Sequence, residues 1–338
     1  MRLLITGGSG FIGTNLVEWA LREGAAVLNL DWNPPLKTDQ RPHWREWNIM
    51  DAGATAAHLR EFAPTHVVHL AARTDTDVQD DIDAYSQNHE GTRILLAAVK
   101  AQPSIERLIV TSTQFVCEAG YQPKDEVDFK PFTLYGETKR LCEVATREAD
   151  LRCVWSIIRP TTIWGPWSLR YRDVLFKVMR KGLYFHPSRK KVVRSYGYVG
   201  NVVWQIGRIL RAPRETVDRR VFYVGDPPMD LRLWVGAVSQ GLVGRPVRYI
   251  PSWAVKGAAL TGDLLKVLHL PFPITSGRYR SMTSDYVTPM DATIDALGKA
   301  PYSVDQGVKA MVEWYDTEAS AAVAPRKIDV RQPEPGNP

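Results

Sequence analysis

Tyr135 and Lys139 stand four residues apart in the run Leu134-Tyr135-Gly136-Glu137-Thr138-Lys139. On a helix that spacing puts a phenol and an ammonium on one face. A phenol titrates at about 10, too high for a base at neutral pH. A nearby positive charge favours the phenolate, so the pair is suited to moving a proton on or off a hydroxyl. Thr113, in Val110-Thr111-Ser112-Thr113-Gln114, follows an apolar run and offers a hydroxyl to the same reacting oxygen. Upstream, Gly7, Gly10 and Gly13 are spaced G-x-x-G-x-x-G in Thr6-Gly7-Gly8-Ser9-Gly10-Phe11-Ile12-Gly13. A strand-to-helix turn of this kind needs a freely rotating φ and lets backbone N–H groups approach a pyrophosphate. Asp31 lies 18 residues after Gly13 at the end of the next apolar run. A carboxylate there accepts from ribose hydroxyls and repels a 2′-phosphate, so NAD is expected over NADP, with Lys37 and Arg41 the only nearby support for NADP. A hydride carrier beside a poised phenol points to oxidation or reduction at an alcohol carbon.

The elements that must position these groups alternate. Strands are predicted at 2–6, 26–30, 47–49, 66–70, 108–111 and 154–158, and a helix at 11–23 with Ile12, Leu16, Trp19 and Ala20 on one face. This pattern predicts an α/β, Rossmann-type doubly wound parallel sheet with a smaller mixed substrate lobe. Beyond Pro160 the alternation fades, and a helix at 199–210 and a strand at 221–224 are expected to return to the sheet. The dinucleotide-binding domain is accordingly placed at 1–165 and 195–228, and the substrate-binding lobe at 166–194 and 229–316. Residues 319–338, rich in Pro and charge, are expected to be a disordered tail.

Bulk properties bound the rest. The 338 residues, 44% hydrophobic and 24% charged, suit a globular chain with a proper core. The three cysteines, Cys117, Cys142 and Cys153, fit neither a disulfide framework nor a metal site. A reducing, cytoplasmic location is expected, with no integral membrane association. A net charge of +6 suits an anionic small substrate, and no nucleic-acid motif is present. Trp253 to Leu270 is apolar with Lys256 and Lys266 interspersed. It reads first as a helix of the substrate lobe covering the pocket, and second as an amphipathic helix on a membrane surface.

The motifs together resemble the extended short-chain dehydrogenase/reductases of the NAD-dependent nucleotide-sugar epimerase/dehydratase family. The resemblance rests on Thr6 to Gly13, Asp31, His69-Leu70-Ala71-Ala72, Asn88-His89-Glu90-Gly91-Thr92, Thr111-Ser112-Thr113, Tyr135 to Lys139, Arg159-Pro160, Trp164-Gly165-Pro166 and Arg194 to Val199. It implies a catalytic trio of Thr113, Tyr135 and Lys139. It places Gly7, Gly10, Phe11, Ile12, Gly13, Asp31, Asn48, Ile49, Leu70, Ala71, Ala72, Asn88, Thr111, Pro160 and Thr162 at the cofactor, with Tyr135 and Lys139. Thr113, Thr162 and Arg194 would meet the substrate, Arg194 at its diphosphate. Arg194 ends a strongly basic stretch from Arg170, from which one or two helpers are expected. A homodimer through helices at 84–101 and 137–149 is implied as well.

Departures from the family pattern narrow the chemistry. Gln114 and Phe115 occupy positions where dehydratases carry acids, so elimination of water is not expected. Cys117 and Asn201 replace other residues, and Cys117 reads as a packed side chain. Trp164, Trp167, Trp204 and Trp253 are candidates to stack on a base or sugar, although most of the 11 tryptophans should be packing. His69 reads as a structural hydrogen-bonder. The expected activity is a nucleotide-sugar 4-epimerase working through a transient 4-keto sugar. The alternative is a keto-sugar reductase or 3β-hydroxysteroid-like dehydrogenase with net redox turnover.

Overall fold

Successive residues of Arg2-Leu3-Leu4-Ile5-Thr6 turn to opposite sides of an extended chain. Leu3 and Ile5 enter one apolar cluster and Leu4 the other, so this strand is buried on both faces. The structure, a computed structural model, describes residues 1–76, 81–187, 189–267 and 274–320. Its strands are β1 (Arg2–Thr6), β2 (Ala26–Asp31), β3 (Trp44–Glu46), β4 (His66–His69), β5 (Arg107–Thr111), β6 (Val154–Pro160), β7 (Thr162–Trp164), β8 (Phe185–His186), β9 (Val193–Arg194), β10 (Tyr196–Tyr198), β11 (Arg220–Val224), β12 (Met229–Asp230) and β13 (Arg248–Tyr249). The α-helices are α1 (Phe11–Arg22), α2 (Ala52–Phe62), α3 (Ser86–Ala101), α4 (Leu134–Glu148), α5 (Lys177–Arg180), α6 (Val199–Arg211), α7 (Arg214–Val217), α8 (Leu231–Val243), α9 (Ser252–Val267), α10 (Ser276–Thr283), α11 (Asp291–Leu297) and α12 (Val304–Ser320).

Seven strands form one parallel sheet in the order β11-β6-β5-β4-β1-β2-β3. The expected doubly wound α/β fold is present, and the direction of winding reverses between β1 and β4. Ligand crevices of such sheets open there, beyond the carboxyl ends of the strands. As expected, 221–224 returns to the sheet, pairing beside β6, and α6 returns with it. Val202, Val203, Ile206, Ile209 and Leu210 of α6 are all buried, each contributing about 1.5–3 kcal/mol of apolar burial.

Two expectations are corrected. The third strand lies at Trp44–Glu46, not at 47–49, because Trp44 to Glu46 take the register opposite Asn29 to Asp31. Trp47 and Ile49 are instead buried from the loop that follows, Trp47 by donating Nε1–H to Thr55 Oγ1 at 3.0 Å and Ile49 by packing on Gly91. Their apolarity reflects loop anchoring rather than pairing. At the C-terminus, α12 continues to Ser320, so 319–320 are helical. The rest of the expected tail, 321–338, lies outside the described residues.

α4 is tied to the sheet by a buried ion pair. Arg159 of β6, 1% exposed, donates to both oxygens of Glu143, fully buried, at 2.8 and 2.9 Å. Its remaining donors reach the Glu126 carbonyl and the Tyr223 hydroxyl. Removing one charge strands the other in a dry site, so Glu143→Gln is expected to cost about 3–5 kcal/mol. The urea unfolding midpoint measures this, and an unshifted midpoint would show that the pair does not hold α4 in place.

Candidate active site

α4 begins where Thr133, in extended backbone, accepts the Gly136 N–H on Oγ1 at 3.0 Å. This cap puts Tyr135 in the first turn and Lys139 one turn later. Gly136 has no room for a side chain, since a Cβ there would strike the Phe115 backbone carbonyl group. That close approach brings the loop after β5, which carries Thr113, against the start of α4. Tyr135 is 8% exposed, and burial pushes its phenol well above the ordinary value. The hydrogen bond with Thr113 pulls it back down. Lys139, 2% exposed, donates Nζ–H to the Thr111 carbonyl at 2.8 Å, and burial lowers its pKa. The group that eases ionisation of the phenol within this chain is therefore Thr113, with Lys139 anchored on β5.

These three residues line a cavity of about 1920 Å³. Ligand pockets usually span about 300–1,000 Å³, so this one has room for two ligands end to end. The glycine turn forms part of the wall. Gly7 takes φ +74°, and a Cβ on it would lie 2.6 Å from the Ala71 nitrogen. A Cβ on Gly13 would strike the Gly7 carbonyl and come within 2.6 Å of Gly8 Cα. The turn thus packs backbone on backbone, and Gly10 begins α1 with no side-chain cap, leaving the first-turn N–H groups for an anion. Asp31 accepts from Ser9 N–H at 3.0 Å and Asn33 N–H at 2.9 Å, and each oxygen keeps a lone pair for a ribose hydroxyl. Burial raises the Asp31 pKa, and these backbone bonds oppose the rise. Lys37 is engaged with Glu18 at 3.1 Å, and neither Lys37 nor Arg41 lines the cavity.

The cavity wall includes Phe11, Ile12, Asn48, Ile49, Leu70, Ala71, Ala72, Thr111, Pro160, Thr162 and Arg194 besides the residues above. Asn88 is the exception among the sequence-predicted positions. It is fully buried, accepts the Arg73 N–H at 2.8 Å and donates to the Arg73 carbonyl and to Thr138 Oγ1. It shapes the loop after β4 from behind rather than reaching the cavity. Arg194, 9% exposed, donates Nη1–H to the Ser284 carbonyl at 3.0 Å and lies over the Tyr286 ring, while its buried Nε has no partner among the described residues. Within the basic stretch, Arg170 also reaches the wall, whereas Arg172 and Lys177 pair with Asp173 and Arg180 with Asp316. Arg278 of α10 joins them; burial lowers its pKa and the charge of Arg170 lowers it further. Two cations pressed together in this way favour a bound anion.

Other expectations resolve by position. His69 bonds Thr6 at 2.7 Å and Thr92 at 3.0 Å, and burial takes its pKa down to about 3, so it stays neutral and structural. Cys117 is buried outside the cavity, and burial raises its thiol pKa. Of the four tryptophans singled out for stacking, only Trp167 lines the cavity; Trp164 is fully buried core, Trp204 is elsewhere and Trp253 is 78% exposed. Trp32, Trp47 and Trp234 line it instead. α9 does not cover the pocket, since none of its described residues lies on the wall. The sequence reading also missed an apolar arm of the cavity wall. Tyr171, Val174, Leu175 and Val178 line it from a π-helical turn at Tyr171–Phe176 that runs into α5. Their i, i+3, i+4, i+7 spacing is a signal that a helical reading of 171–178 would have caught.

Asn201 has a clear role. Its Nδ2 donates to Asp226 Oδ1 at 2.6 Å and to the Tyr302 carbonyl at 2.8 Å. Burial raises the Asp226 pKa to about 6. A carboxylate at 201 would face that of Asp226, so Asn201→Asp is expected to destabilise by about 1–3 kcal/mol at pH 8. Asp226 has a raised folded pKa, so its contribution is fully present below the unfolded value and is lost as pH rises through about 6. The deficit of the variant should shrink at pH 5, where the two groups share a proton. Melting curves at both values check this, and a larger deficit at pH 5 would contradict it.

A doubly wound sheet with a glycine turn after β1, a carboxylate closing β2 and a Thr–Tyr–Lys cluster from β5 and α4 defines a dinucleotide-binding α/β enzyme. The sequence model of the NAD dependent epimerase/dehydratase family matches residues 3–225. The chain belongs to that family. It is 28% identical over 327 residues to the N-acetyl-alpha-D-glucosaminyl-diphospho-ditrans,octacis-undecaprenol 4-epimerase of Escherichia coli O157:H7, covering 92% of this chain and 94% of the relative. It is 27% identical over 242 residues to the 3-beta-hydroxysteroid dehydrogenase of Mycolicibacterium neoaurum, covering 67% of this chain and 65% of the relative. Its fold matches the UDP-glucose 4-epimerase of Thermotoga maritima with a TM-score of 0.73 at 20% identity, over 94% of this chain and 100% of that one.

Proposed function

We propose that this chain is an NAD-dependent 4-epimerase of diphosphate-linked sugars, nucleotide sugars among them. The observation that carries the reading is that one cavity is lined by the glycine turn and Asp31, by Thr113, Tyr135 and Lys139, and by Arg170, Arg194 and Arg278. The E. coli relative, similar along nearly the whole chain, is named as a 4-epimerase of a diphosphate-linked sugar. Similar folds have been crystallised with NAD and with UDP-glucuronic acid. In this reading, residues 1–165 and 195–228 hold the cofactor, and 166–194 with 229–316 hold the substrate.

The cofactor fits the site: the Gly7–Gly13 turn, packed backbone on backbone, and the uncapped first turn of α1 would hold its phosphates, and Asp31 would accept from its adenosine ribose. When bound, NAD supplies the acceptor for the C4 hydride and gives it back. Tyr135, as phenolate, takes the C4 hydroxyl proton and later returns it. Thr113 donates to the same oxygen as its charge develops. Lys139, held on the Thr111 carbonyl, keeps a positive charge at the base of the site. The arginines grip the diphosphate while the 4-keto sugar turns over in the wide cavity. Gln114 donates to Thr162 at 3.0 Å, and its Oε1 has no partner among the described residues, so it can accept from a sugar hydroxyl or N–H. Neither Gln114 nor Phe115 can act as the acid or base that loss of water requires.

The apolar arm of the cavity favours a second reading, a dehydrogenase of an apolar alcohol. Denaturing the purified protein and measuring released cofactor by mass spectrometry separates the two. Near-stoichiometric NAD, with epimerisation of a UDP-hexose and no net change at the NADH absorbance, supports the first. An empty protein that turns over cofactor on an alcohol or ketone supports the second. We also infer a homodimer through α3 and α4, whose Ile94 and Leu141 are only partly buried in the single chain. Analytical ultracentrifugation tests it.

A further inference from the structure

The outward face of α9 is apolar where a solvated helix would be polar. Trp253, Leu260 and Leu264 are 78%, 59% and 64% exposed. At 3.6 residues per turn, positions i, i+7 and i+11 fall within about 40° of one another, so the three form one ridge. The opposite face is also apolar and is buried through Val255 and Ala259, each 1% exposed. A helix apolar on both faces is expected to be covered on both. The ridge lies on a helix whose N-terminal end is joined to the cavity wall. Ser252, at the start of α9, donates to the Pro187 carbonyl at 2.6 Å, and β13 just before it pairs with β8. Leu183, two residues before β8, lines the cavity and is also 61% exposed. Ile250, between β13 and α9, lines it as well.

Charge identifies the partner. The segments joined to α9, at 180–187 and 189–191 through the pairing of β8 with β13, at 245–265 along the chain and at 274–283 through α10, carry ten Lys or Arg, of which Arg180 pairs with Asp316, and a single carboxylate, Asp263. Lys181, Arg248, Lys256 and Arg280 are exposed among them. An apolar ridge flanked by basic side chains suits the headgroup region of an anionic bilayer.

We propose that the α9 ridge and the Leu183 rim dock on an anionic lipid bilayer, so that the apolar arm of the cavity receives a diphosphate sugar whose carrier is a long aliphatic chain. The docking stands on the exposed ridge and rim and the basic charge beside them; the substrate class rests on the epimerase reading. No described helix is long and apolar enough to cross a membrane, so the contact is peripheral.

The test is sedimentation of the full chain with vesicles of phosphatidylcholine alone or mixed with phosphatidylglycerol. The wild type should sediment with the anionic vesicles, less so as salt is added. The Trp253→Ser/Leu260→Ser/Leu264→Ser variant should bind them about tenfold less tightly or worse. Lys256→Glu should weaken binding to the anionic vesicles only. The triple variant should keep its NAD content and its activity on a soluble nucleotide sugar while losing activity on a polyprenyl diphosphate sugar in vesicles. Absence of binding by the wild type, or equal binding by the triple variant, overturns the docking. A ridge variant that converts a dimer to a monomer, with no vesicle binding by the wild type, overturns it in favour of a second copy of this chain. Sedimentation is read without turnover. A chain that binds vesicles yet holds no NAD and epimerises nothing would therefore defeat the epimerase reading and leave the docking intact.

Discussion

Tyr135→Phe is expected to lower kcat by about 10²–10⁴-fold, the usual worth of a positioned acid–base group, with KM and NAD content nearly unchanged. The substitution keeps the ring, so its edge-on packing with Phe115 at 6.4 Å survives and only the proton carrier is lost. The pH profile adds a finer test. A base works only when deprotonated, so the rate falls on the acid side. Burial raises the Tyr135 pKa and the Thr113 bond opposes that rise. Thr113→Val removes the opposing bond, so the acid limb should move to higher pH. A Tyr135→Phe enzyme with full kcat, or a Thr113→Val limb that moves to lower pH, would refute the assignment.

Gly13→Ala is expected to strip the protein of its cofactor. The added methyl would meet the Gly7 carbonyl and lie 2.6 Å from Gly8 Cα. Both obstacles are backbone and cannot swing aside as the end of a side chain would. Opening the turn to admit the methyl costs about 1–3 kcal/mol of strain. That corresponds to roughly 10–100-fold weaker cofactor binding at 1.4 kcal/mol per decade. The readout is NAD released on denaturation, together with the Kd for added NAD. Retention equal to wild type would mean that the turn does not approach the cofactor's phosphates.

The legibility of the site follows the range of the interactions that build it. Gly7, Gly10 and Gly13 serve one turn within seven residues, and Tyr135 and Lys139 share one helical turn. Local backbone geometry decides such relations, and spacing records them directly. Asp31 was legible because it closes a strand beside the glycine turn, and parallel pairing of β1 with β2 makes that adjacency automatic. Asn88 belongs to a recognisable run, yet its side chain points to the back of the cavity wall and ties Arg73 to Thr138. Type and position gave no hint of which way it faces.

The sequence by itself determined the doubly wound sheet, the dinucleotide turn, the preference for NAD and the grouping of Tyr135 with Lys139 on one helical turn, because each rests on periodicity or contacts along a short stretch of chain. Only the tertiary structure decided which cations meet. Arg170, Arg194 and Arg278 come from segments more than a hundred residues apart at their extremes and converge through packing. It decided the third strand as well, since pairing with β2 claims Trp44 to Glu46 and leaves the more apolar Trp47 and Ile49 to a loop. It also decided that α9 stands clear of the cavity. An apolar helix in sequence does not say which of its faces finds a partner, and here Val255 and Ala259 turn inward while Trp253, Leu260 and Leu264 remain exposed.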